Sequence, residues 1–343
     1  MGARHRAEAT RGRAVLAVVA VAIAAVLVAL FRWAAPAGEV TRVADEQVSP
    51  SPAAPSDASG GPASDATATD EASARALGNF QQGMQIKRLK PTCSQVPVST
   101  SITVLSYNIK SGHRGGLGAI ASVIRGSGAD VVLLQEVDRN RHSSGRVDQA
   151  AWLASNLGGW SHAFGQNVSH GGSAGYGTAI VSRWPIVSSQ NRHLPNGPGG
   201  QQRGLLNAVV DIDGMAVSFY STHLQNRIDR LKVAQARSIA GIVAGDGRPK
   251  IIGGDMNSWP GDTPAGILRS QFTDTWSVVG RGAGATNPAP NPRGRIDYLM
   301  HDGAAIRPTS ADVLPAQASD HRAVRASYAL DGVTEKRCTT PGA

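Results

Sequence analysis

The chain has 343 residues, of which 41% are hydrophobic and 17% are charged, and its formal net charge at pH 7 is +9. These values are ordinary for a globular protein that carries an apolar anchor, and they exclude a chain that is disordered throughout. The positive charge is consistent with a polyanionic partner, such as nucleic acid or an anionic lipid head group. A solvated surface that is rich in arginine because of genomic base composition would give the same balance.

The N-terminal region combines a basic start with an apolar run. Residues 1–13 carry four arginines and one acidic residue, and the stretch from Ala14 to Phe31 has no charged residue. This length nearly spans the hydrocarbon core of a bilayer, so 14–33 is predicted to be a transmembrane anchor, with residues 1–13 in the cytoplasm. A cleaved signal peptide is the alternative, because small residues occur at Ala35 and Ala37. Either segment exports the rest of the chain.

Residues 34–92 are rich in proline, alanine and serine and poor in large apolar residues, which predicts a flexible linker. Residues 93–343 are predicted to form one catalytic domain. The chain has only two cysteines, Cys93 and Cys338, at the two ends of this domain. In an oxidising compartment they are expected to pair, which would make the first and last strands neighbours. Two free surface thiols are the alternative.

Strand and helix patterns alternate from residue 102 onward. The predicted strands are Ile102–Ile109, Asp130–Gln135, Gly177–Ser182, Leu205–Ile212, Met215–Ser221, Pro249–Ile252, Ile296–Met300 and Ala323–Leu330. The predicted helices are Gly116–Arg125, Gln149–Leu157, Asn226–Ala244 and Asp262–Leu268, the last with Asp262 as its N-cap. Many strands with helices outside them predict an α/β fold in which helices flank two packed sheets.

Polar residues recur where these strands end. Asp255 and Asn257 follow a short apolar strand and two glycines, and their spacing of two places both side chains on one side of an extended backbone. The other polar residues at strand ends are Asn108, Glu136, His223, Asp297, Asp320 and His321. Each has a structural alternative, such as a helix cap or a hydrogen-bonded core histidine. Their joint recurrence favours one shared site.

The residue types suit hydrolysis of a phosphate ester. Mg²⁺, or Mn²⁺ in its place, prefers oxygen ligands, and Glu136 is the first candidate ligand. The candidate ligands around it are Asn108, Asp297 and Asp320. His321 can take a proton from the attacking water, while His223 and Asn257 can stabilise the phosphate. Substrate contacts are predicted for Arg183 and Arg203, with surface salt bridges as the alternative.

Six short segments, in order, resemble the endonuclease/exonuclease/phosphatase superfamily with the DNase-I-like fold. They are Ser106–Asn108, Leu134–Val137, Ser221–Leu224, Gly254–Asn257, Arg295–Tyr298 and Ser319–His321. The resemblance covers about residues 102–330 and implies a four-layer α/β/β/α sandwich with one cleft formed by strand-end loops.

The resemblance also implies a role for each matching residue. It assigns Mg²⁺ to Glu136 with Asn108 beside it, and orientation or activation of the water to Asp255. It implies that Asn257 and His223 contact or protonate the phosphate. Asp297 would bind metal or orient a histidine, and Asp320 would support His321.

The expected function is therefore that of an exported, metal-dependent phosphoesterase, which cleaves phosphodiesters or phosphomonoesters by attack of water. The basic domain favours endonuclease-like activity on nucleic acid. A phospholipid or phosphoinositide phosphodiesterase or phosphatase is the alternative, favoured by the anchor. A non-catalytic binding module on the same fold is a third possibility, against which the intact residue set argues. We expect a monomer in the cell membrane, held by one span with the catalytic domain outside, or a secreted protein if the segment is cleaved.

Overall fold

The structure is a computed structural model that describes residues 91–339. The predicted basic start 1–13, the segment 14–33 and all but the end of the linker 34–92 lie outside these residues. Among residues 91–339, no helix combines the length and the apolar character needed to cross a membrane.

Twelve strands form two six-stranded sheets, in the orders β11-β12-β1-β2-β4-β3 and β5-β6-β7-β8-β10-β9. The strands are β1 Thr92–Asn108, β2 Val131–Arg139, β3 Ser161–Ser169, β4 Gly175–Ser182, β5 Ile186–His193, β6 Gly204–Ile212, β7 Met215–His223, β8 Lys250–Asp255, β9 Thr273–Asp274, β10 Asp297–Asp302, β11 Ile306–Val313 and β12 Val324–Thr339. The helices are α1 Gly116–Ser127, α2 Gln149–Asn156, α3 Asp229–Ala244, α4 Thr263–Leu268 and α5 Thr275–Val279.

Three apolar clusters hold the layers together. The cluster between the sheets includes Val104, Phe219 and Ile251. A second cluster packs α1 and α2 on the outer face of the first sheet, and a third packs α3 and α4 on the outer face of the second. Neighbouring residues such as Val104 and Leu105 belong to different clusters because side chains alternate between the faces of a strand. The predicted four-layer α/β/β/α sandwich is confirmed.

Each sheet contains one parallel pair of strands, β1 with β2 and β7 with β8. The helices α1 and α3 form the connections of these pairs, as parallel strands require a crossover. Asn108 at the end of β1 donates a hydrogen bond to Asp255 at the end of β8, so the carboxyl ends of all four strands lie at one end of the sandwich. β10 begins there too, since its Asp297 pairs with Asp255 at the end of β8.

The predicted disulfide between Cys93 and Cys338 is present. β1 and β12 are antiparallel neighbours along their whole length, and the two cysteines are directly opposite in the register. The outer part of this pair, Thr92–Val98 against Val333–Thr339, is mostly exposed and forms a two-stranded ribbon. The first and last strands are thus neighbours, as the pairing of the cysteines predicted.

The structure corrects several predicted elements. The strands β3, β5, β9 and β11 were not predicted. The helix predicted from Asn226 begins at Asp229, because Arg227 has a left-handed φ of 59° and Ile228 lies outside helical geometry. Asp262 precedes α4, but its side chain accepts a hydrogen bond from the Trp259 amide rather than capping the helix.

Candidate active site

Strand ends from both sheets border one polar cleft of about 700 Å³. Seven predicted site residues line it, namely Glu136, Arg203, His223, Asp255, Asn257, Asp320 and His321. Asn108 and Asp297 are buried directly behind the wall, where each makes a hydrogen bond to one of the lining residues. The topology therefore assembles nearly all of the residues that the strand-end pattern selected.

Glu136 enters the cleft at a β-bulge. The register between β2 and β4 slips between Gln135 and Val137, and Glu136 has a left-handed φ of 55°. Such a conformation costs a non-glycine residue about 1–3 kcal/mol and is most often found at functional sites. Asn108 Nδ2 donates to Glu136 Oε1 over 2.9 Å, which holds the carboxylate in place. The bulge leaves this carboxylate half-buried and facing the cleft.

Asp255 lies at the centre of the site and is 2% exposed. Its Oδ1 accepts from the Asn257 amide over 2.9 Å, and its Oδ2 accepts from Asn108 Nδ2 over 3.1 Å. Burial, and then the negative charge of Asp297, raise the pKa of Asp255 to about 7. Gly254 before it allows the close approach of β7, because a Cβ there would lie 2.2 Å from the carbonyl oxygen of Thr222.

His321 is paired with Asp297. Its Nδ1 lies 2.9 and 3.1 Å from the two Asp297 carboxylate oxygens, and its Nε2 lies 3.7 Å from Asp255 Oδ2. Burial alone would lower the pKa of His321, but the charge and hydrogen bond of Asp297, with the charges of Asp255 and Asp320, raise it to about 10. His321 is therefore an imidazolium at neutral pH and points its second N–H towards Asp255. This does not fit the expectation that His321 takes a proton from the attacking water, because both ring nitrogens already carry one.

Asp320 supports His321 through its charge, which helps to raise the pKa of the ring, but it makes no hydrogen bond to the ring; Asp297 takes that place, in line with one of the two roles expected of it. Asp320 instead pairs with Lys110, which follows β1, and Asp297 is the histidine's partner. The reason is topological: β10 runs antiparallel to β8 and brings Asp297 opposite Asp255, whereas the side chain of Asp320 lies on the cleft rim.

His223 is held as a neutral imidazole. Arg203 Nη1 donates to its Nδ1 over 3.0 Å, and a guanidinium has no acceptor, so the ring proton lies on Nε2. Nε2 is 3.4 Å from Asp255 Oδ2. Burial, and then the positive charges of Arg203 and His321, lower the pKa of His223 well below its usual value. Asn257 Nδ2 also lies 3.0 Å from Nε2, but it donates to the Leu224 carbonyl, so we regard its approach to the ring as a contact without a hydrogen bond.

Of the two arginines predicted to contact substrate, one lies in the cleft and the other does not. Arg203 lines the cleft, is 5% exposed and forms no ion pair with a carboxylate of residues 91–339, so it brings an unneutralised charge to the site. Arg183 does not reach the cleft. It follows β4, which runs antiparallel to β2, and at the far end of the sheet it pairs with Asp130 over 3.0 Å and stacks on Trp184. The prediction that Arg183 contacts substrate is corrected accordingly.

A model of the endonuclease/exonuclease/phosphatase family matches residues 105–321, which include every residue of the site. The chain belongs to this family. It is 30% identical to the uncharacterized protein YbhP of Escherichia coli K12 over 259 residues, which cover 67% of this chain and 97% of YbhP. A putative neutral sphingomyelinase of Caenorhabditis elegans is 33% identical over 132 residues, or 32% of this chain and 30% of that protein.

Among solved structures, an endonuclease/exonuclease/phosphatase of Beutenbergia cavernae is similar. Its TM-score is 0.56 and its identity 27%, and the match covers 68% of this chain and 72% of that one. The family is hydrolytic, so the chain is a hydrolase of the endonuclease/exonuclease/phosphatase family.

The residues present fit a hard divalent cation. One ligand atom each from Asp255, Asp297 and His321 lie within 4.8 Å of one another, which marks a possible metal site. Both Asp297 oxygens, however, face the N–H of His321, and all three residues are buried. The Glu136 carboxylate is half-buried and faces the cleft, where water can complete an octahedral shell. An oxygen-rich donor set of this kind suits Mg²⁺ or Mn²⁺.

Several residues that line the cleft were not identified from the sequence. They are Lys110, Asn226, Arg227, Trp259, Asn287 and Ile296. Two of them, Lys110 and Trp259, come two residues after Asn108 and Asn257, so extending each strand-end motif by two positions would have found them. Tyr176 and Gln201 also line the cleft, and they do carry a signal: they lie in the glycine-rich segment Ser169–Gly177 and the loop Leu194–Arg203, which come before or between predicted strands and are expected from the sequence to line the cleft.

Proposed function

We propose that this chain is a divalent-metal-dependent phosphodiesterase that cleaves nucleic acid by direct attack of water on phosphorus. The observation that most supports this proposal is the set of hydrogen-bonding groups around Asp255. Two amide donors, from Asn108 and Asn257, hold its oxygens, and two histidine Nε2 atoms face it from opposite walls. A carboxylate fixed in this way beside two N–H groups can orient a water molecule towards a bound phosphate.

We place the metal at Glu136, with Asn108 behind it and Asp320 on the adjacent rim. When bound, Mg²⁺ or Mn²⁺ would neutralise charge on a phosphate oxygen. Asp297 belongs to the histidine rather than to the metal, because both of its oxygens face His321 Nδ1.

The side chains of the cleft then have separate roles in the hydrolysis. Asp255 orients the attacking water and accepts its proton as the water oxygen bonds to phosphorus. The P–O bond to the leaving oxygen breaks, and this oxygen takes a proton from the imidazolium of His321. The imidazolium of His321 and the Nε2–H of neutral His223 donate hydrogen bonds to the phosphate as negative charge develops on it. Asn257 adds a polar contact beside them, while Arg203, which forms no ion pair with a carboxylate of residues 91–339, supplies positive charge that draws the phosphate into the cleft.

The proposal includes export, with residues 14–33 as a membrane anchor or a cleaved signal. The uncharged run after an arginine-rich start supports it, as does the disulfide across the domain, because disulfides persist mainly in oxidising compartments. The catalytic domain would then act outside the cytoplasm, on nucleic acid that it meets there.

The direct test uses the full chain purified in detergent. We expect it to hydrolyse DNA and bis-p-nitrophenyl phosphate with Mg²⁺ or Mn²⁺, and to lose this activity in excess chelator. Activity that persists in chelator, or no activity on any phosphodiester with either metal, would refute the proposal.

A lipid phosphodiesterase is the second candidate. Two observations favour it: the apolar segment 14–33, and the similarity of 132 residues to the putative neutral sphingomyelinase. Hydrolysis of sphingomyelin or phosphoinositides in vesicles, at a higher kcat/KM than that of DNA, would replace the nuclease with this candidate.

A further inference from the structure

A second pocket, of about 400 Å³, lies beside the catalytic cleft and is lined by basic residues. One wall is the loop 140–146 after β2, and the other is the turn between β3 and β4. Its side chains include Arg141, His142, Arg146 and His170. We call this feature the basic pocket.

Of the two arginines that line the basic pocket, Arg146 is the one whose charge no carboxylate of residues 91–339 neutralises. No acidic residue lines it, and the nearby carboxylate of Asp138 is occupied by Arg141 over 2.8 Å. Within residues 91–339, no carboxylate forms an ion pair with Arg146, His142 or His170. The two guanidinium groups of Arg141 and Arg146 share one nearby carboxylate, so the concavity keeps a net positive charge that raises the local concentration of anions.

Hydrogen bonds give this pocket a defined shape. The loop is closed by the bonds from Asn140 N to Val147 O, over 3.0 Å, and from Arg146 N to Arg141 O, over 2.8 Å. Asn140 Nδ2 donates to Ser173 Oγ over 3.1 Å and so joins the two walls. Asn140 and Arg146 both have left-handed φ values, 56° and 58°, which non-glycine residues adopt at a cost. The loop is therefore held in one conformation that presents Arg146 to the pocket.

The pocket continues the catalytic cleft along β2. Tyr176 lines the cleft, and the Arg141 guanidinium lies 5.8 Å from its ring on the pocket side. Glu136 and Asn140 are separated by four steps along an extended chain, or about 13 Å. Along one strand of a duplex each nucleotide advances about 3.4 Å along the axis while its phosphate also turns about the axis, so this straight distance corresponds to roughly two nucleotides.

We infer that the basic pocket binds a second phosphate of the same nucleic-acid strand, about two nucleotides from the phosphate that is cleaved. The inference rests on the proposed function and narrows it to polynucleotides of several residues. An anionic membrane is the competing partner. The exposed large apolar side chains of residues 91–339 are Val187, Trp259 and Val278, and none of them lines this pocket, so it lacks the apolar anchor that a membrane contact uses.

The test compares Arg146→Gln in the full chain with a matched control, Arg237→Gln. Arg237 is an exposed arginine on α3 that does not line the cleft or the basic pocket. The substrates are bis-p-nitrophenyl phosphate, which has one phosphate, and DNA oligonucleotides of two to twelve nucleotides. We expect Arg146→Gln to lower kcat/KM about tenfold on the longer oligonucleotides, mainly through KM, and to leave the small diester and the dinucleotide unchanged. The slope of log(kcat/KM) against log salt should fall by about 0.7–0.9.

Binding is measured independently of turnover, by fluorescence anisotropy of a labelled oligonucleotide in chelator and by sedimentation with phosphatidylglycerol vesicles. Weaker oligonucleotide binding by Arg146→Gln, restored by Arg146→Lys, supports the inference even if the chain hydrolyses no diester and the proposed function fails. Equal losses on the small diester and the oligonucleotides, or an effect no larger than that of Arg237→Gln, would overturn it. Loss of vesicle binding with unchanged oligonucleotide binding would assign the pocket to a membrane instead.

Discussion

The two parallel strand pairs occupy matching places in the two sheets and end in the same cleft, yet they present different chemistry. The pair in the first sheet, β1 and β2, ends in Asn108 and Glu136, and the Glu136 carboxylate is half-buried because a bulge turns it outward. The pair in the second sheet, β7 and β8, ends in His223 and Asp255, both at least nine-tenths buried.

The comparison shows how burial separates the roles of two carboxylates a few ångströms apart. Both Glu136 and Asp255 accept a hydrogen bond from the same amide nitrogen, Asn108 Nδ2. The partly hydrated carboxylate suits a cation that keeps its waters, whereas the buried one has a raised pKa and suits proton transfer.

The largest effect is expected for Asp255→Asn, which removes the base of the second pair and keeps its shape. We expect kcat to fall by about 10³-fold, because a positioned general base contributes about 10²–10⁴. Hydrolysis of bis-p-nitrophenyl phosphate measures this, with Asp331→Asn on the exposed surface as the control. A loss below tenfold would show that the buried carboxylate is not the base.

The matching substitution in the first pair, Glu136→Gln, should act through the metal. We expect about a 10²-fold loss at standard metal concentration and partial recovery when Mg²⁺ or Mn²⁺ is raised, since a neutral amide is a weaker ligand. The control is Glu335→Gln, at an exposed glutamate on the ribbon. If the metal concentration for half-maximal activity does not change, Glu136 is not a metal ligand.

A third comparison separates the two aspartates near His321. Asp297→Asn removes the carboxylate that holds this ring, and we expect a loss of about 10²-fold in kcat. Asp320→Asn should cost less than tenfold, because Asp320 pairs with Lys110 and not with the histidine. The pKa of His321, followed by NMR of the ring, should fall in Asp297→Asn and change much less in Asp320→Asn. The reverse order would restore Asp320 as the partner.

The smallest effect is expected on the free energy of unfolding, and it tests the burial of a histidine that takes no part in catalysis. His301 on β10 is buried outside the cleft and bonds to Thr275 over 2.9 Å, and burial lowers its pKa in the folded state. The unfolded chain therefore binds more protons below a pH of about 6.5, so stability is lost as pH falls through this value. In urea unfolding at pH 7.5 and 5.5, His301→Gln should show a smaller loss of stability than the wild type. An equal loss would show that His301 does not contribute to acid sensitivity.

The site was largely predictable because its residues follow apolar strands, and parallel strands bring their carboxyl ends together. This holds for Asn108, Glu136, His223 and Asp255. Adjacency in sequence pointed to Asp320 as the partner of His321, whereas Asp297 reaches the ring through the antiparallel pairing of β10. The family resemblance alone offered Asp297 for this role, as one of two alternatives. The prediction that Arg183 contacts substrate was wrong for a similar reason. A residue that follows a strand lies in the cleft only if the strand runs towards the cleft.

The missed strands also have a physical cause. β5 reads Ile-Val-Ser-Ser-Gln-Asn-Arg-His, and most of it is exposed at the edge of its sheet, so it lacks the alternating apolar pattern of a strand with one buried face. β3 and β11 are the other long strands at sheet edges. The central strands were found because both of their faces are covered, which requires long apolar runs.

The ribbon fixes where the domain can be held. Thr92 and Thr339 lie side by side, and β1 then runs for 17 residues, about 50 Å, before Asn108 reaches the cleft. The chain thus enters and leaves the domain at one point, at the end opposite the cleft. The disulfide links the two strands there. Attachment of either end of the ribbon to a surface or a fusion partner would therefore point the cleft outward. The domain could then be immobilised through the ribbon without blocking the access of a long polymer to the cleft.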